Sequence, residues 1–315
     1  MTTRTSYRAE SPETIDAVRT GILTWFERHR RTLPWRETRD PYHILVSEVM
    51  LQQTQVDRVI PYYHRFLERF PTVQELASAP VAEVIRLWAG LGYNRRAVNL
   101  QRAAQAVVAS HNGTFPRDLG QLRALPGVGE YTAGAIACFA FEQDVAFADT
   151  NMRRVLDRVF TGETGASWAS LSGVAERLVP AGDGWRWNQA LMEFGALHCT
   201  SRKPLCGLCP LQAVCVAFPV AQQPGTRKPA KQEESFVGSN RFYRGRILAV
   251  LRDHPDTAGV TLHELGAQVR DDFSSEQLPW LVDLVRGLES DGLARVAEPR
   301  ETYDASPPET RIALP

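Results

Sequence analysis

Four of the chain's five cysteines, Cys199, Cys206, Cys209 and Cys215, share one seventeen-residue run spaced C-x6-C-x2-C-x5-C. Thiolates are soft ligands, and four on one short loop suit a tetrahedral zinc or a [4Fe–4S] cluster. Structural zinc more often draws on two close C-x2-C pairs. This run has one, so iron–sulfur is the sharper expectation. Two disulfides are the competing reading, but the thiols are clustered and the N-terminal MTTRTSYRAE lacks the apolar stretch of a secretory signal. A reducing, cytoplasmic setting is expected.

Two carboxylates stand out by position. Glu48 lies four residues after Ile44 and three before Leu51, so all three share one helix face and the carboxylate sits on an apolar stripe. Burial there would raise its pKa and leave it able to act as a general acid; a side chain at the stripe's edge reaching water is the plain alternative. Its neighbours Gln52, Gln53, Thr54 and Gln55 are suited to hydrogen-bonding base edges. Asp149 precedes Thr150-Asn151-Met152-Arg153-Arg154 and reads first as a helix N-cap. Tyr131 has a similar plain reading as a packed aromatic, and Cys138, in an apolar helix, as core. Trp35-Arg36 could stack and pair near a ligand or simply close the core.

Leu125-Pro126-Gly127-Val128-Gly129 falls between two helical patterns, 118–124 and 131–141, and has the form of a helix-hairpin-helix. The glycines let the backbone turn and approach a partner closely, and the next helix presents unpaired N–H groups at its positive dipole end. Such a turn can hold a phosphate without reading sequence, although an ordinary helix–helix turn would look the same.

The elements that must position these residues are almost all helical. Asp40-Pro41 opens a helix over 41–55, Thr72-x-x-Glu75 is a capping box, and Gly90 and Gly92 interrupt the chain. A long helix over 94–110 and further helices over 149–160, 171–179 and 187–198 complete the set. At 315 residues and 43% hydrophobic content the chain can bury a full core. No apolar run approaches a membrane span, so no membrane partner is expected. Net charge is zero, but residues 1–240 carry about +4 and 241–315 about −4, so an anionic polymer would bind the first part. The polar, Pro-rich stretch 219–240 reads as a linker. Beyond it, three short helices (241–253, 261–269, 275–290) and two strands (293–297, 310–314) suggest a small winged-helix-like α+β domain.

Taken together, LPWR (33–36), DPYHILVSEVMLQQTQV (40–56), GLGYNRRAVNL (90–100), LPGVGEYTAGAI (125–136), DTNMRRV (149–155), LMEFGA (191–196) and the four cysteines resemble the helix-hairpin-helix DNA glycosylases that carry a [4Fe–4S] cluster. Within them the likeness is to the adenine DNA glycosylases, and it covers residues 20 to about 217. The resemblance implies an endonuclease III-like fold, a six-helix unit with a helical iron–sulfur unit, over 1–218, with bent DNA in the cleft. It also implies a monomer that acts, associated with the nucleoid, on double-stranded DNA carrying adenine opposite 8-oxoguanine or guanine.

The same resemblance implies roles. Where endonuclease III has an attacking lysine, this chain has Tyr131; a phenol cannot form a Schiff base, so the base should be released without a strand nick. Glu48 matches the general acid that protonates adenine at N7. Asp149 matches the carboxylate that stabilises an oxocarbenium-like sugar. Asn151 and Tyr131 match residues that position the carboxylates and the water, and Glu193 matches a contact to the flipped adenine. Gln53 and Tyr93 occupy wedge positions beside the opposite base, and Arg202-Lys203 is placed to meet a phosphate.

The chain departs from the resemblance at its C-terminal end. The family usually appends a Nudix-like domain of strands, and residues 241–315 are too few for it. The net-acidic tail is expected to pack on the catalytic region or to contact a partner rather than clamp the duplex by charge, leaving lesion preference largely to Gln53 and Tyr93. Two other functions stay open: a thymine or uracil mismatch glycosylase of the same superfamily, against which the LQQTQ run argues, and a non-catalytic iron–sulfur DNA-binding regulator, which leaves Glu48, Asp149 and Tyr131 unexplained as a set.

Overall fold

A computed structural model describes residues 10–162, 165–218, 235–254, 259–297 and 311–315. The described residues divide into two compact units, one drawn from Met1–Leu45, Pro116–Ala124 and Val128–Ala230, the other from Val46–Phe115, Leu125–Gly127 and Lys231–Pro315. The expected linker 219–240 lies mostly outside the described residues. Among those described, no helix is long and apolar enough to cross a membrane.

The first unit holds α1 (Pro12–His29), α7 (Leu119–Arg123), α8 (Glu130–Phe141), α9 (Thr150–Leu156), α10 (Trp168–Leu178) and α11 (Gly184–Leu197), with helix α2 (Pro41–Leu51) beginning in it and ending in the second. Ser11 caps α1 and Pro12 takes its first position, where a missing N–H costs nothing. Ile15, Val18, Ile22, Trp25 and Phe26 make its buried stripe, and Trp25 meets Phe194 of α11 edge to face at 5.1 Å. Asp40 caps α2 as expected, accepting from the Tyr42 N–H at 2.8 Å. That helix stops at Leu51, so Gln52, Gln53 and Thr54 stand on the turn after it rather than on the helix.

In the second unit α3 (Val56–Arg69), α4 (Val73–Ser78), α5 (Val81–Leu87) and α6 (Arg95–His111) enclose Phe66, Phe70 and Trp88. The Thr72/Glu75 capping box forms, with the Glu75 N–H donating to the threonine hydroxyl at 3.2 Å. The C-terminal residues form a winged-helix-like module of α12 (Asn240–Asp253), α13 (Leu262–Val269) and α14 (Leu278–Ser290). Its antiparallel sheet has the order β1 (Val260–Thr261), β3 (Arg311–Ala313), β2 (Arg295–Ala297). The two-residue strand β1 is hidden in the sequence because Thr261 also opens the capping box of α13. The module does not build its core alone: Ile247, Leu248, Leu251, Leu281 and Leu293 pack in one cluster with Ala82 and Ile85 of α5 and Val98 of α6.

Candidate active site and iron–sulfur loop

Asp149 stands at the head of α9 and caps it, accepting from the Met152 N–H at 2.7 Å. Its other oxygen accepts from Asn151 Nδ2 at 2.9 Å. Burial pushes the Asp149 carboxyl above its ordinary range, although these hydrogen bonds and Arg154 pull the other way. Asn151 is itself fixed by Arg154, whose Nη2 donates to Asn151 Oδ1 at 2.9 Å and to the Gly195 carbonyl at 2.6 Å, while its Nε donates to the Cys199 carbonyl at 2.9 Å. The structure therefore joins Asp149, Asn151 and the first cysteine of the run through one arginine. At Gly195 the approach of α11 to α9 is close, since a Cβ there would meet the Asn151 carbonyl at 2.7 Å.

Tyr131 lies in the first turn of α8, its ring edge-on to Phe147 at 5.6 Å and its hydroxyl 4.0 Å from Met192 Sδ. The hairpin before it places Leu125 and Val128 in the interior, and Gly129 takes the N-cap position of α8. Gly127 is required twice over, by its φ of +75° and because a Cβ would meet Asn99 at 2.7 Å. Cys138 is fully buried beside Asn188, and burial pushes its thiol up to about 12, which fits its reading as core.

Glu193 is 2% exposed, and both its oxygens are taken. Arg31 donates from its backbone N–H, Nε and Nη2 at 2.9 Å each, and Arg36 donates from Nη2 at 3.0 Å. Burial alone would raise this carboxyl, but the two arginines more than offset that and hold it at about 2. Arg36 is anchored further by Gln189 at 2.7 Å, and Trp35 is buried beside it in sequence.

In the second unit Glu48 is 4% exposed on α2, so the apolar-stripe reading holds for its burial. The turn that follows α2 and the turn between α5 and α6 carry the two residues Gln53, at φ +56°, and Tyr93, at φ +45° and 48% exposed. Left-handed backbone at two non-glycine residues stores strain of roughly 1–3 kcal/mol each, a feature that concentrates at working sites. One buried side chain holds both turns. Arg96 donates from Nη1 to the carbonyls of Val49, Met50 and Gln52 and from Nη2 to Thr54 Oγ1, Leu91 O and Gly92 O, at 2.6–3.3 Å. Burial brings its guanidinium down to about 10. Arg96 and Arg154 fall inside sequence motifs but carry no signal of these roles, since an arginine that fastens carbonyls looks in sequence like one that faces water.

All four cysteines of the run are free thiols of intermediate exposure, and each lies within electrostatic reach of others in the set. Burial, then their mutual influence, pushes Cys206, Cys209 and Cys215 upward, Cys209 to about 11; a bound metal displaces those protons. Among the described residues no three His, Cys, Asp or Glu side chains close on a single ion. The donor set itself, four soft thiolates on one short loop, is the kind a [4Fe–4S] cluster takes. Arg158 donates to Cys199 Sγ at 3.3 Å and to the Thr200 carbonyl at 2.8 Å, while the N–H groups of Val216 and Ala217 bind the carbonyls of Val159 and Arg158, tying the loop to the chain after α9.

Residues 46–171 match the family model for HhH-GPD superfamily base excision DNA repair proteins, and residues 199–215 match the iron–sulfur binding domain of endonuclease III. The second match begins and ends on the outer cysteines of the run, and the four thiolates fit one [4Fe–4S] cluster. An adenine DNA glycosylase of Mycolicibacterium smegmatis is 42% identical over 250 residues, 78% of this chain and 83% of that protein. Among solved structures, a thermostable thymine-DNA glycosylase aligns with TM-score 0.63 and 34% identity over 65% of this chain and 97% of that one. An endonuclease III trapped in a covalent intermediate with DNA aligns with TM-score 0.61 and 24% identity over 68% and 99%, a likeness of fold.

Proposed function

The chain belongs to the adenine DNA glycosylases of the helix-hairpin-helix base excision repair superfamily, and we propose that it removes adenine paired with 8-oxoguanine or guanine in double-stranded DNA and leaves the strand intact. The observation that carries this reading is Asp149, oriented by Asn151 and the head of α9 and kept from full solvation. A carboxylate so held costs nothing to reorganise when positive charge develops at the sugar. Glu48, buried on α2, is the proton source: adenine accepts the proton at N7 and leaves with the electron pair of the N-glycosidic bond. Water then adds at C1′ and gives its proton to the carboxylate that Glu48 has become, restoring the acid. Tyr131, in place of an amine, keeps the reaction hydrolytic.

Glu193 is proposed to contact the extruded adenine, with Arg31 and Arg36 fixing its carboxylate. Leu125, Gly127, Val128 and Gly129 present the hairpin backbone to a phosphate, and Gln53 and Tyr93, with Gln52 and Thr54 beside them, take up the space beside the opposite base. The cluster holds the loop around Arg202 and Lys203. The chain acts as a monomer associated with DNA in the cytoplasm. The 34% identity to a thymine-DNA glycosylase supports a second reading, in which thymine opposite guanine is the base released. Incubation with borohydride and a duplex carrying adenine opposite guanine tests the hydrolytic route: free adenine and no covalent protein–DNA adduct are expected, whereas a trapped adduct would contradict it.

A further inference from the structure

The turn that carries Tyr93 is held from one side by Arg96, and on the other it meets the C-terminal module. Asn94 occupies the N-cap position of α6, where an asparagine ordinarily accepts from its own helix, yet its side chain makes no capping bond. Its Oδ1 instead accepts from Nη2 of Arg252, at the end of α12, at 2.8 Å. Arg252 is a costly residue to place there: burial pulls its guanidinium downward, and its buried Nε meets no acceptor among the described residues. Its own carbonyl accepts from Arg86 Nε of α5 at 3.3 Å, as the His254 carbonyl does from Arg86 Nη2.

A second tie lies one residue on. Arg95 pairs with Asp291 at 3.4 Å, and Asp291 is held in turn by Arg244 of α12 at 2.5 Å. The next residue, Gly292, lies against α6 closely enough that a Cβ would meet Arg102 at 2.8 Å and Val98 at 3.3 Å. Both residues that follow Tyr93 are therefore gripped by side chains from beyond residue 240, through polar ties separate from the shared apolar cluster under α5 and α6. A module that served only to cover apolar surface would need none of these polar ties.

We propose that the C-terminal winged-helix-like module is a brace for the Tyr93 turn, acting through Arg252 on Asn94 and Asp291 on Arg95, so that discrimination of the base opposite adenine depends on residues that need not touch DNA. The role given to Tyr93 rests on the function proposed above; the brace itself is a property of the free protein. Arg252 and Asp291 are then positioning residues. The module's third helix is an unsuitable alternative reader, because its outward face carries Asp283 and Glu289 beside Arg286.

The test uses the full, cluster-loaded protein, three single variants and the double variant at Arg252 and Asn94. Arg252→Met keeps most of the stem and removes the donor; Asn94→Ala removes the acceptor; Leu281→Ala weakens the module's core without touching the turn. Backbone hydrogen exchange over residues 90–95 should speed up in the first two and stay near wild type in Leu281→Ala. Single-turnover release of adenine opposite 8-oxoguanine, divided by that opposite guanine, should fall about tenfold in Arg252→Met, the size of coupling seen between contacting residues. The double variant should be no worse than either single one. Unchanged exchange at 90–95 in Arg252→Met overturns the brace, and so does an equal loss of discrimination in Leu281→Ala. If wild-type protein releases no adenine, the proposed function fails while the exchange measurement still decides the brace.

Discussion

At Asp149, helix capping and the proposed chemistry are not rival assignments. The carboxylate that accepts from Met152 N–H is the same one that Asn151 orients, so the cap gives it a fixed direction while burial raises its proton affinity. Asparagine caps about as well as aspartate, so Asp149→Asn should unfold in denaturant within about 1 kcal/mol of wild type while releasing base far more slowly, whereas Asp149→Ala should lose ~1 kcal/mol of stability as well. Because burial raises the folded pKa, the acid's stabilising contribution is present below its unfolded value and is lost as pH rises through the raised one; the Asn variant should therefore gain on wild type across that window. Glu193 runs the other way. Held at about 2 by its arginines, it contributes stability above its unfolded pKa of ~4.3 that disappears as pH falls toward 2, so the melting temperature should drop steeply over that range and less steeply in Glu193→Gln. Glu48→Gln keeps shape but cannot supply a proton; a loss of base release of ~10²–10⁴-fold with DNA affinity retained is expected in single-turnover assays.

Elements explain why some of this was legible beforehand. Caps and breaks are local, so Thr72/Glu75, Asp40-Pro41, the hairpin glycines and the two wing strands could be placed from their own residues. The end of α2 was not, because nothing in LQQTQ forbids another helical turn; the helix stops where Arg96, some forty residues on, claims the carbonyls of Val49, Met50 and Gln52. The pairing of Glu193 with Arg31 and Arg36, far apart in sequence, was hidden for the same reason. The two strained turns give a prediction of their own. Replacing Gln53 or Tyr93 by glycine relieves left-handed strain but loosens the unfolded chain, so thermal stability should stay within about 1 kcal/mol while opposite-base discrimination is lost. A large fall in melting temperature would show instead that these side chains serve the fold.

At the scale of the whole molecule, composition conceals a division of labour. The zero net charge is the sum of a basic first part and an acidic tail, and the tail is joined to the helices by an apolar cluster rather than left as an independent appendage. The four-cysteine loop, legible from spacing alone, is tied through Arg154 to Asn151 and so to the proposed catalytic carboxylate, a link visible only in three dimensions. All of these features converge on a hydrolytic adenine glycosylase, and one assay tests that most directly. Cluster-loaded protein in excess is mixed with duplexes carrying adenine, thymine or uracil opposite guanine or 8-oxoguanine, and each product is divided between direct analysis and alkali treatment. Adenine alone should be released, fastest opposite 8-oxoguanine, with strand breaks appearing only after alkali. Release of thymine in preference to adenine, or nicking before alkali, would contradict the account.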